Sequence, residues 1–200
     1  MIRILDRNFE LSIPHETIQE KVKELAQQLN KDYEGKNPVM VCILNGAFVF
    51  AADLVRHLTF QPEIVFARFS SYDGMVSTGV VKELLGVNAN LLARDVIIVE
   101  DIVDTGTSMY NILPKFQEKG AKTVKIATLL QKPECLKVPL KVDYCAIQIP
   151  NDFIVGYGLD YNGMGRNYRD IYKVVDDWFS VKTKKHKFNE YSVERESPLP

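Results

Sequence analysis

The chain has 200 residues, of which 46% are hydrophobic, and a formal net charge of −1. These values predict one domain with one sizeable core and give no electrostatic footprint for nucleic acid or a membrane surface. No apolar run approaches the roughly 20 residues that cross a bilayer, and the amino terminus lacks the long apolar stretch of a signal peptide, so a cytoplasmic location is expected. Three cysteines without Cys-x-x-Cys spacing and three distant histidines argue against disulfides, zinc and a histidine dyad.

The first half of the chain alternates between helical and strand-like patterns. Apolar residues at helical spacing predict an amphipathic helix over residues 14–30. The continuous apolar run 39–44 predicts a central strand, because a strand that is covered on both faces needs no polar face. A second helix through residues 50–58 and a strand over residues 63–69 follow.

The segment 70–93 differs from its neighbours, since it contains three glycines and no sustained helical period. We interpret it as a long mobile loop or a loose hairpin. Loops of this length inside a compact domain are usually functional lids or disordered segments, and this one directly precedes the most distinctive stretch of the chain. We therefore predict that this segment is a lid that covers a nearby site.

The stretch from Val96 to Ser108 changes abruptly from apolar to charged. Its first four residues predict a buried parallel strand, and Glu100, Asp101 and Asp104 follow. Asp104 opens the run Asp-Thr-Gly-Thr-Ser ahead of a helix, where backbone N–H groups and the helix dipole favour a phosphate. Carboxylates beside an anion site suit sugar hydroxyls or a bridging Mg²⁺, so the stretch predicts a sugar phosphate site. The alternative, that Asp104 and the hydroxyl residues only cap the helix, explains one acid and not three.

The second half of the chain continues the alternation. A helix through residues 109–116 stops at Lys119 and Gly120, and a strand over 123–130 completes a βαβ unit. Shorter strands are predicted at 144–149, 153–155 and 171–175, with a glycine-spaced loop between the last two. The pattern predicts an α/β fold, a doubly wound, mostly parallel twisted sheet flanked by helices, with ligands at the carboxyl ends of the strands.

Four residues downstream are candidates for binding an acceptor. Lys132 follows a predicted strand and should emerge on the same rim as Asp104, where its ammonium can donate to a ligand carbonyl. Phe153 suits stacking on a planar base, Asp160 suits a metal or the ligand, and Arg166 offers a fork matched to phosphate oxygens. Singly, each has an ordinary explanation: a solvated lysine, a core phenylalanine, and an aspartate–arginine pair across a loop.

Two sets of motifs resemble a known family. Residues 96–108 resemble the phosphoribosyl diphosphate (PRPP) motif of the type I phosphoribosyltransferases, which is four hydrophobic residues, two acids and Asp-Thr-Gly-Thr-Ser. Residues 129–133 and 152–161, followed by Arg166 and Asn167, resemble the hypoxanthine phosphoribosyltransferases. The second set is more specific than the PRPP motif alone.

The resemblance implies a fold, an activity and partners. It covers roughly residues 9–175, so we expect a phosphoribosyltransferase domain over 1–175 and a partly disordered or docked tail over 176–200. The family fold has a small hood formed by the terminal segments and a mobile active-site loop, here at Ser71 and Tyr72. The implied reaction moves the 5-phosphoribosyl group from PRPP to N9 of hypoxanthine or guanine, giving IMP or GMP and pyrophosphate. Mg²⁺ is the implied cofactor, and a homodimer or homotetramer is the implied assembly.

The resemblance also implies which residues bind the donor. Glu100 and Asp101 would bind the ribose hydroxyls, directly or through Mg²⁺, and Asp160 would face a second Mg²⁺. The 5′-phosphate would be held by Thr105, Gly106, Thr107 and Ser108. The pyrophosphate would meet Arg166 and a loop formed by Leu44, Asn45 and Gly46. Because many members have lysine where this chain has Asn45, we expect weaker PRPP binding than in a lysine-bearing relative.

On the acceptor side, the resemblance makes Asp104 the general base near purine N7. Lys132 would bond the 6-oxo group, Phe153 would stack on the base, and the backbone of Ile154 would meet its edge. Lys132 favours a 6-oxopurine over adenine, whose amino group is a donor at that place. The preference among hypoxanthine, guanine and xanthine stays open, as does a non-catalytic PRPP-sensing regulator on the same fold.

Overall fold

The computed structural model describes residues 1–71 and 81–175, without the side chains of residues 70, 71, 81 and 82. Tyr72 and the side chain of Ser71, both of the expected mobile loop, lie outside this description, and so does the expected tail 176–200. The described residues form two sheets, one of six strands and one of four. Among the described residues, no helix is long and apolar enough to span a membrane.

The larger sheet carries two cavities at the carboxyl ends of its strands. The described elements are, in chain order, β1 (Ile2–Ile4), β2 (Arg7–Ile13), α1 (His15–Asp32), β3 (Val39–Leu44), α2 (Phe48–Arg56), β4 (Glu63–Ser71), β5 (Val81–Leu85), β6 (Asp95–Val103), α3 (Thr107–Glu118), β7 (Thr123–Gln131), a 3₁₀ helix (Pro133–Cys135), β8 (Tyr144–Gln148), β9 (Ile154–Val155) and β10 (Ile171–Val174). The six-stranded sheet has the order β5-β4-β3-β6-β7-β8. Its neighbouring strands β4, β3, β6, β7 and β8 all pair in parallel, and β5 is antiparallel to β4.

The parallel strands are apolar on both faces because helices cover both sides of the sheet. In β3, Met40 and Cys42 are buried in a cluster that includes residues of α1 and α2. Val39 and Val41, which point to the opposite face, are buried in a second cluster with residues of α3. The predicted fold class, a doubly wound and mostly parallel sheet flanked by helices, is therefore confirmed.

The smaller sheet is the hood that the resemblance implied. Its order is β1-β2-β10-β9, and all its neighbours are antiparallel. It joins the amino-terminal strands to strands near the end of the described chain, and Phe9, Val155 and Tyr161 are buried together beneath it. The hydrophobic patterns of the sequence predicted β9 and β10 but neither β1 nor β2.

Two segments differ from their predicted bounds. β6 was predicted over residues 96–99, but it extends to Val103 because its pairing with β7 continues as far as the partners Val103 and Gln131. Between residues 70 and 93, β5 pairs antiparallel with β4, so the hairpin alternative is confirmed and the long-loop alternative is wrong for residues 81–85. Because residues 72–80 lie outside the description, the lid stays a prediction.

Candidate active site

A cavity of about 310 Å³ opens at the carboxyl ends of β3 and β6. Parallel strands end at a common edge of their sheet, which is why residues far apart in sequence meet there. The predicted donor-binding residues in its lining are Leu44, Asn45, Gly46, Glu100, Asp101, Thr105, Gly106, Ser108, Asp160 and Arg166, and the predicted general base Asp104 lines it as well. The side chain of Thr107, the first residue of α3, is exposed and does not line the cavity.

The loop between β6 and α3 has the geometry of an anion site. Gly106 adopts a left-handed conformation with φ 76°, which favours glycine, and it is the N-cap of α3 without a side-chain cap. Thr105 Oγ accepts a long hydrogen bond of 3.4 Å from the Thr107 N–H. The Asp104 carboxylate bonds Lys132 and not the helix, so the capping explanation is wrong for Asp104. The start of α3 thus faces the cavity with its N–H groups and the positive end of its dipole.

Two adjacent carboxylates lie beside this loop. Glu100 is buried, and its pKa is raised well above the usual range by burial first and then by the charge of Asp101. The Asp101 N–H donates to Glu100 Oε1 at 3.2 Å, and the Ile102 N–H donates to Asp101 Oδ1 at 2.8 Å. A neighbouring cation or a set of hydroxyl donors would relieve the repulsion between these two groups.

The oxygen donors of this pair fit Mg²⁺. This ion prefers oxygen ligands, keeps several waters, and commonly binds one or two carboxylates together with substrate phosphates. Glu100 and Asp101 supply two carboxylates at the cavity, so they suit a metal that is shared with a phosphorylated ligand. Among the residues that the structure describes, no group of three or more His, Cys, Asp and Glu side chains is arranged to hold a metal by itself.

Asp160 and Arg166 form an ion pair at the edge of the cavity. Arg166 Nη2 lies 2.7 Å from Asp160 Oδ1, and Arg166 Nη1 donates to the Gly158 carbonyl at 2.6 Å. The Gly163 N–H donates to Asp160 Oδ2 at 2.7 Å. The pairing across the loop is therefore real, and both side chains also line the cavity. A metal at Asp160 would compete with Arg166 for the same carboxylate.

The loop after β3 approaches its neighbours too closely for a side chain at Gly46. A Cβ atom on Gly46 would overlap the Asp101 carboxylate. From another side, a Cβ atom on Gly158, whose φ is 99°, would overlap the Gly46 carbonyl oxygen. The peptide bond between Leu44 and Asn45 is cis. The two glycines thus let the predicted pyrophosphate loop approach the Asp101 carboxylate on one side and the backbone at Gly158 on the other.

A second cavity of about 670 Å³ shares a wall with the first. Asp104 and Thr105 line both cavities, and Lys132 and Phe153 line the second, as expected for base-binding residues. Ile154 is buried and does not line it. The sequence analysis missed the rest of the lining, which is Glu134, Cys135, Leu136, Lys137, Asn151 and Asp152. Their position just after the ends of β7 and β8 was the signal that could have identified them.

Lys132 is the central side chain of the second cavity. It is only 6% exposed, which rules out the solvated lysine of the ordinary explanation, and its Nζ lies 2.9 Å from Asp104 Oδ2. Its backbone N–H donates to the Val103 carbonyl, and the Lys137 N–H donates to the Thr105 carbonyl, both at 3.0 Å. These two bonds join the loop after β7 to the loop after β6, so the walls of the two cavities are connected.

Comparisons with known proteins assign this chain to a family. Residues 14–162 match the family model described as the phosphoribosyl transferase domain. The chain belongs to the phosphoribosyltransferase family. Its curated relative from Streptococcus thermophilus, a hypoxanthine-guanine phosphoribosyltransferase, is 49% identical over 153 residues, which cover 76% of this chain and 85% of the relative.

Solved structures place this phosphoribosyltransferase in the branch that the sequence motifs indicated. A hypoxanthine-guanine phosphoribosyltransferase from Bacillus anthracis is 43% identical, with a TM-score of 0.81 over 85% of this chain and 100% of that one. A hypoxanthine phosphoribosyl transferase from Trypanosoma cruzi is 31% identical, with a TM-score of 0.81 over 93% of this chain and 100% of that one. The resemblance to the hypoxanthine phosphoribosyltransferases is therefore confirmed, and the protein is a transferase of purine salvage.

Proposed function

We propose that this phosphoribosyltransferase moves the 5-phosphoribosyl group from PRPP to N9 of hypoxanthine or guanine, giving IMP or GMP and pyrophosphate. The observation that carries the proposal is that two residues form a wall shared by the two cavities. Asp104 and Thr105 face both the cavity with the phosphate loop and the cavity with Lys132. A phosphorylated sugar in the first cavity and a planar base in the second would meet at this wall, where the new bond forms.

In the donor cavity, residues 105–108 hold the 5′-phosphate through backbone N–H groups at the start of α3. Glu100 and Asp101 bind the ribose hydroxyls. The pyrophosphate lies against the backbone of Gly46 and the Arg166 guanidinium. These groups stabilise the negative charge that develops as the bond from C1′ to oxygen breaks and pyrophosphate leaves with the bonding electrons.

Mg²⁺ fits the same cavity. Glu100 and Asp101 would hold one ion, and Asp160 would bind a second when Arg166 turns from Asp160 to the pyrophosphate. When bound, Mg²⁺ supplies positive charge that stabilises the leaving pyrophosphate.

In the acceptor cavity, Lys132 donates one N–H to the 6-oxo group of the purine while another keeps its bond to Asp104. As N9 bonds to C1′, Asp104 accepts the proton that the purine carries at N7. Phe153 stacks on the base. The carbonyl of Ile154, which does not line the cavity in the structure, would have to turn toward it to accept from the exocyclic amine of guanine. An adenine amino group would place a donor against Lys132, so adenine is excluded.

The assembly and location of the protein are further proposals. The Trypanosoma cruzi structure concerns the role of the C-terminal region in the oligomeric state and enzymatic activity of that enzyme. We propose a homodimer or homotetramer for the present protein, which light scattering on the full chain would test. The cytoplasmic location stays a prediction.

The function is tested by incubating the full chain with PRPP and Mg²⁺ against a panel of bases: hypoxanthine, guanine, xanthine, adenine, uracil and orotate. Pyrophosphate release and nucleotide formation are followed together. We expect product with hypoxanthine and guanine, none with adenine, uracil or orotate, and loss of activity when EDTA removes the metal. Product with xanthine alone would contradict the proposed preference. No product with any base, combined with measurable PRPP binding, would favour the regulator over the enzyme.

Asn45→Lys tests the departure from the family pattern. The added ammonium would lie next to the pyrophosphate, so the KM for PRPP is expected to fall about three- to tenfold, a range set by the roughly 0.5–1.5 kcal/mol that one hydrogen bond contributes on an exposed residue such as this one. Initial rates at saturating hypoxanthine measure this change.

The matched control is Asn88→Lys, which adds the same charge on an exposed residue of the connection between β5 and β6, outside the cavity lining. Its KM for PRPP should equal that of the wild type. An unchanged KM in Asn45→Lys would mean that position 45 does not face the pyrophosphate.

A further inference from the structure

Tyr157 occupies a backbone conformation that its residue type rarely adopts. It lies in a turn of three consecutive residues with positive φ, Gly156 at 96°, Tyr157 at 49° and Gly158 at 99°. Left-handed conformations are favourable for glycine but cost free energy for a residue with a bulky side chain. A tyrosine therefore remains in such a conformation only when its surroundings hold it there. Its side chain is 1% exposed and belongs to the cluster between the larger sheet, α1 and α2.

The hydroxyl of Tyr157 ties this turn to two helices. It donates to Asp53 Oδ2 on α2 at 2.6 Å, and Gln19 Nε2 on α1 donates to the same oxygen at 2.7 Å. Gln19 Nε2 also lies 3.2 Å from the Tyr157 hydroxyl. Burial and the Asp53 carboxylate raise the pKa of Tyr157, which keeps the hydroxyl protonated and therefore a donor.

The residues next to Tyr157 belong to the donor cavity. The missing Cβ of Gly158 leaves room for the Gly46 carbonyl, and the Gly158 carbonyl accepts from Arg166 Nη1 at 2.6 Å. α2, which carries Asp53, starts two residues after Gly46. The turn is therefore joined to the segment 46–53 at two points, by the contact of Gly158 with Gly46 just before α2 and by the bond from Tyr157 to Asp53 within α2.

We infer that Tyr157 is a positioning residue of the donor site, whose hydrogen bond to Asp53 fixes the turn 156–158 against α2 and so sets the separation of Gly46 from Arg166. This inference rests on the proposed function, since it assigns these two groups to the pyrophosphate. Tyr157 itself touches neither cavity. Without its hydroxyl the turn keeps its aromatic packing and loses its fixed distance to α2, so the two pyrophosphate contacts no longer act together.

Tyr157→Phe is the test, with Tyr144→Phe as its matched control. Tyr144 is also a buried tyrosine that donates to an aspartate at 2.6 Å, here Asp32 at the end of α1, and it lies outside both cavity linings. Both variants should lose similar thermal stability. Tyr157→Phe should raise the KM for PRPP and the Kd for Mg²⁺–pyrophosphate, measured by calorimetry, about tenfold, with the KM for hypoxanthine unchanged. Tyr144→Phe should leave all three constants unchanged.

Asp53→Ala removes the same bond from the other partner and keeps the test valid if Tyr157→Phe does not fold. It also removes the acceptor of Gln19, but it should raise the same two constants, and the double variant should raise them no further, because either single change already breaks the bond between Tyr157 and Asp53. The inference is overturned if Tyr157→Phe binds pyrophosphate like the wild type, or if both tyrosine variants weaken binding equally. A wild-type chain that makes no nucleotide would instead overturn the proposed function, and the calorimetric comparison separates the two failures.

Discussion

Asp104→Asn is expected to lower kcat by roughly 10²- to 10⁴-fold, which is the usual contribution of a positioned general base. The asparagine amide keeps the size of the side chain and its place in the wall between the cavities but cannot accept the purine proton. PRPP binding should stay close to that of the wild type, because the phosphate loop and the carboxylates at positions 100 and 101 are unchanged. Steady-state kinetics with hypoxanthine and calorimetry with PRPP measure the two effects separately.

A matched control for this variant is Glu24→Gln, which neutralises an exposed carboxylate on α1 that pairs with Lys21 at 2.7 Å. It should have the kcat of the wild type, since surface ion pairs contribute little and neither residue of this pair lines a cavity. If Asp104→Asn also keeps near-normal turnover, Asp104 is not the base.

Gly46→Ala is expected to reduce kcat/KM for PRPP by about 10²-fold. The added methyl group would overlap the Asp101 carboxylate, so either Asp101 or the loop after β3 must move. A shift of about 1 Å in groups that position a substrate typically costs this much in rate. The loss should appear in PRPP binding as well as in turnover, whereas binding of the base in the second cavity should be preserved.

Gly35→Ala is the control for the effect of adding a methyl group to a glycine. Gly35 has a positive φ of 68° in the loop after α1, and a Cβ atom there would meet nothing within 4 Å. We expect a loss of about 1 kcal/mol in the free energy of unfolding from the unfavourable φ, with kinetics like those of the wild type. Equal kinetic losses in both variants would show that the effect at Gly46 comes from stability alone.

The larger sheet could be predicted because its signal is local. β3 and β6 are continuous apolar runs, and such runs occur where a strand is covered on both faces. β2 gives no comparable signal, since its burial is confined mainly to Arg7 and Phe9 and its neighbours face solvent. One of its two partners, β1, is adjacent in the sequence, but the other, β10, lies about 160 residues away, so that second pairing is a property of the tertiary structure.

Prediction of the site from the sequence was likewise limited, because several of its contacts depend on the fold. The position of Lys132 after a strand predicted that it would share a rim with Asp104, because strand ends meet at one edge. Their direct ion pair, by contrast, depends on side-chain placement across 28 residues. The close approach of Gly158 to Gly46 and the bond from Tyr157 to Asp53 each join residues more than 100 positions apart, and no local pattern encodes such distances.

The wall formed by Asp104 and Thr105, which line both cavities, would couple the two proposed ligands energetically. A group in the first cavity that shifts either residue also reshapes the second, because both residues face both spaces and the backbone bonds from Lys132 and Lys137 transmit the shift. Thermodynamic linkage then requires reciprocity. If bound PRPP raises the affinity for the base by some factor, the bound base raises the affinity for PRPP by the same factor. The order in which the substrates arrive is thus a matter of rates, while their mutual stabilisation is a single quantity that either titration will measure.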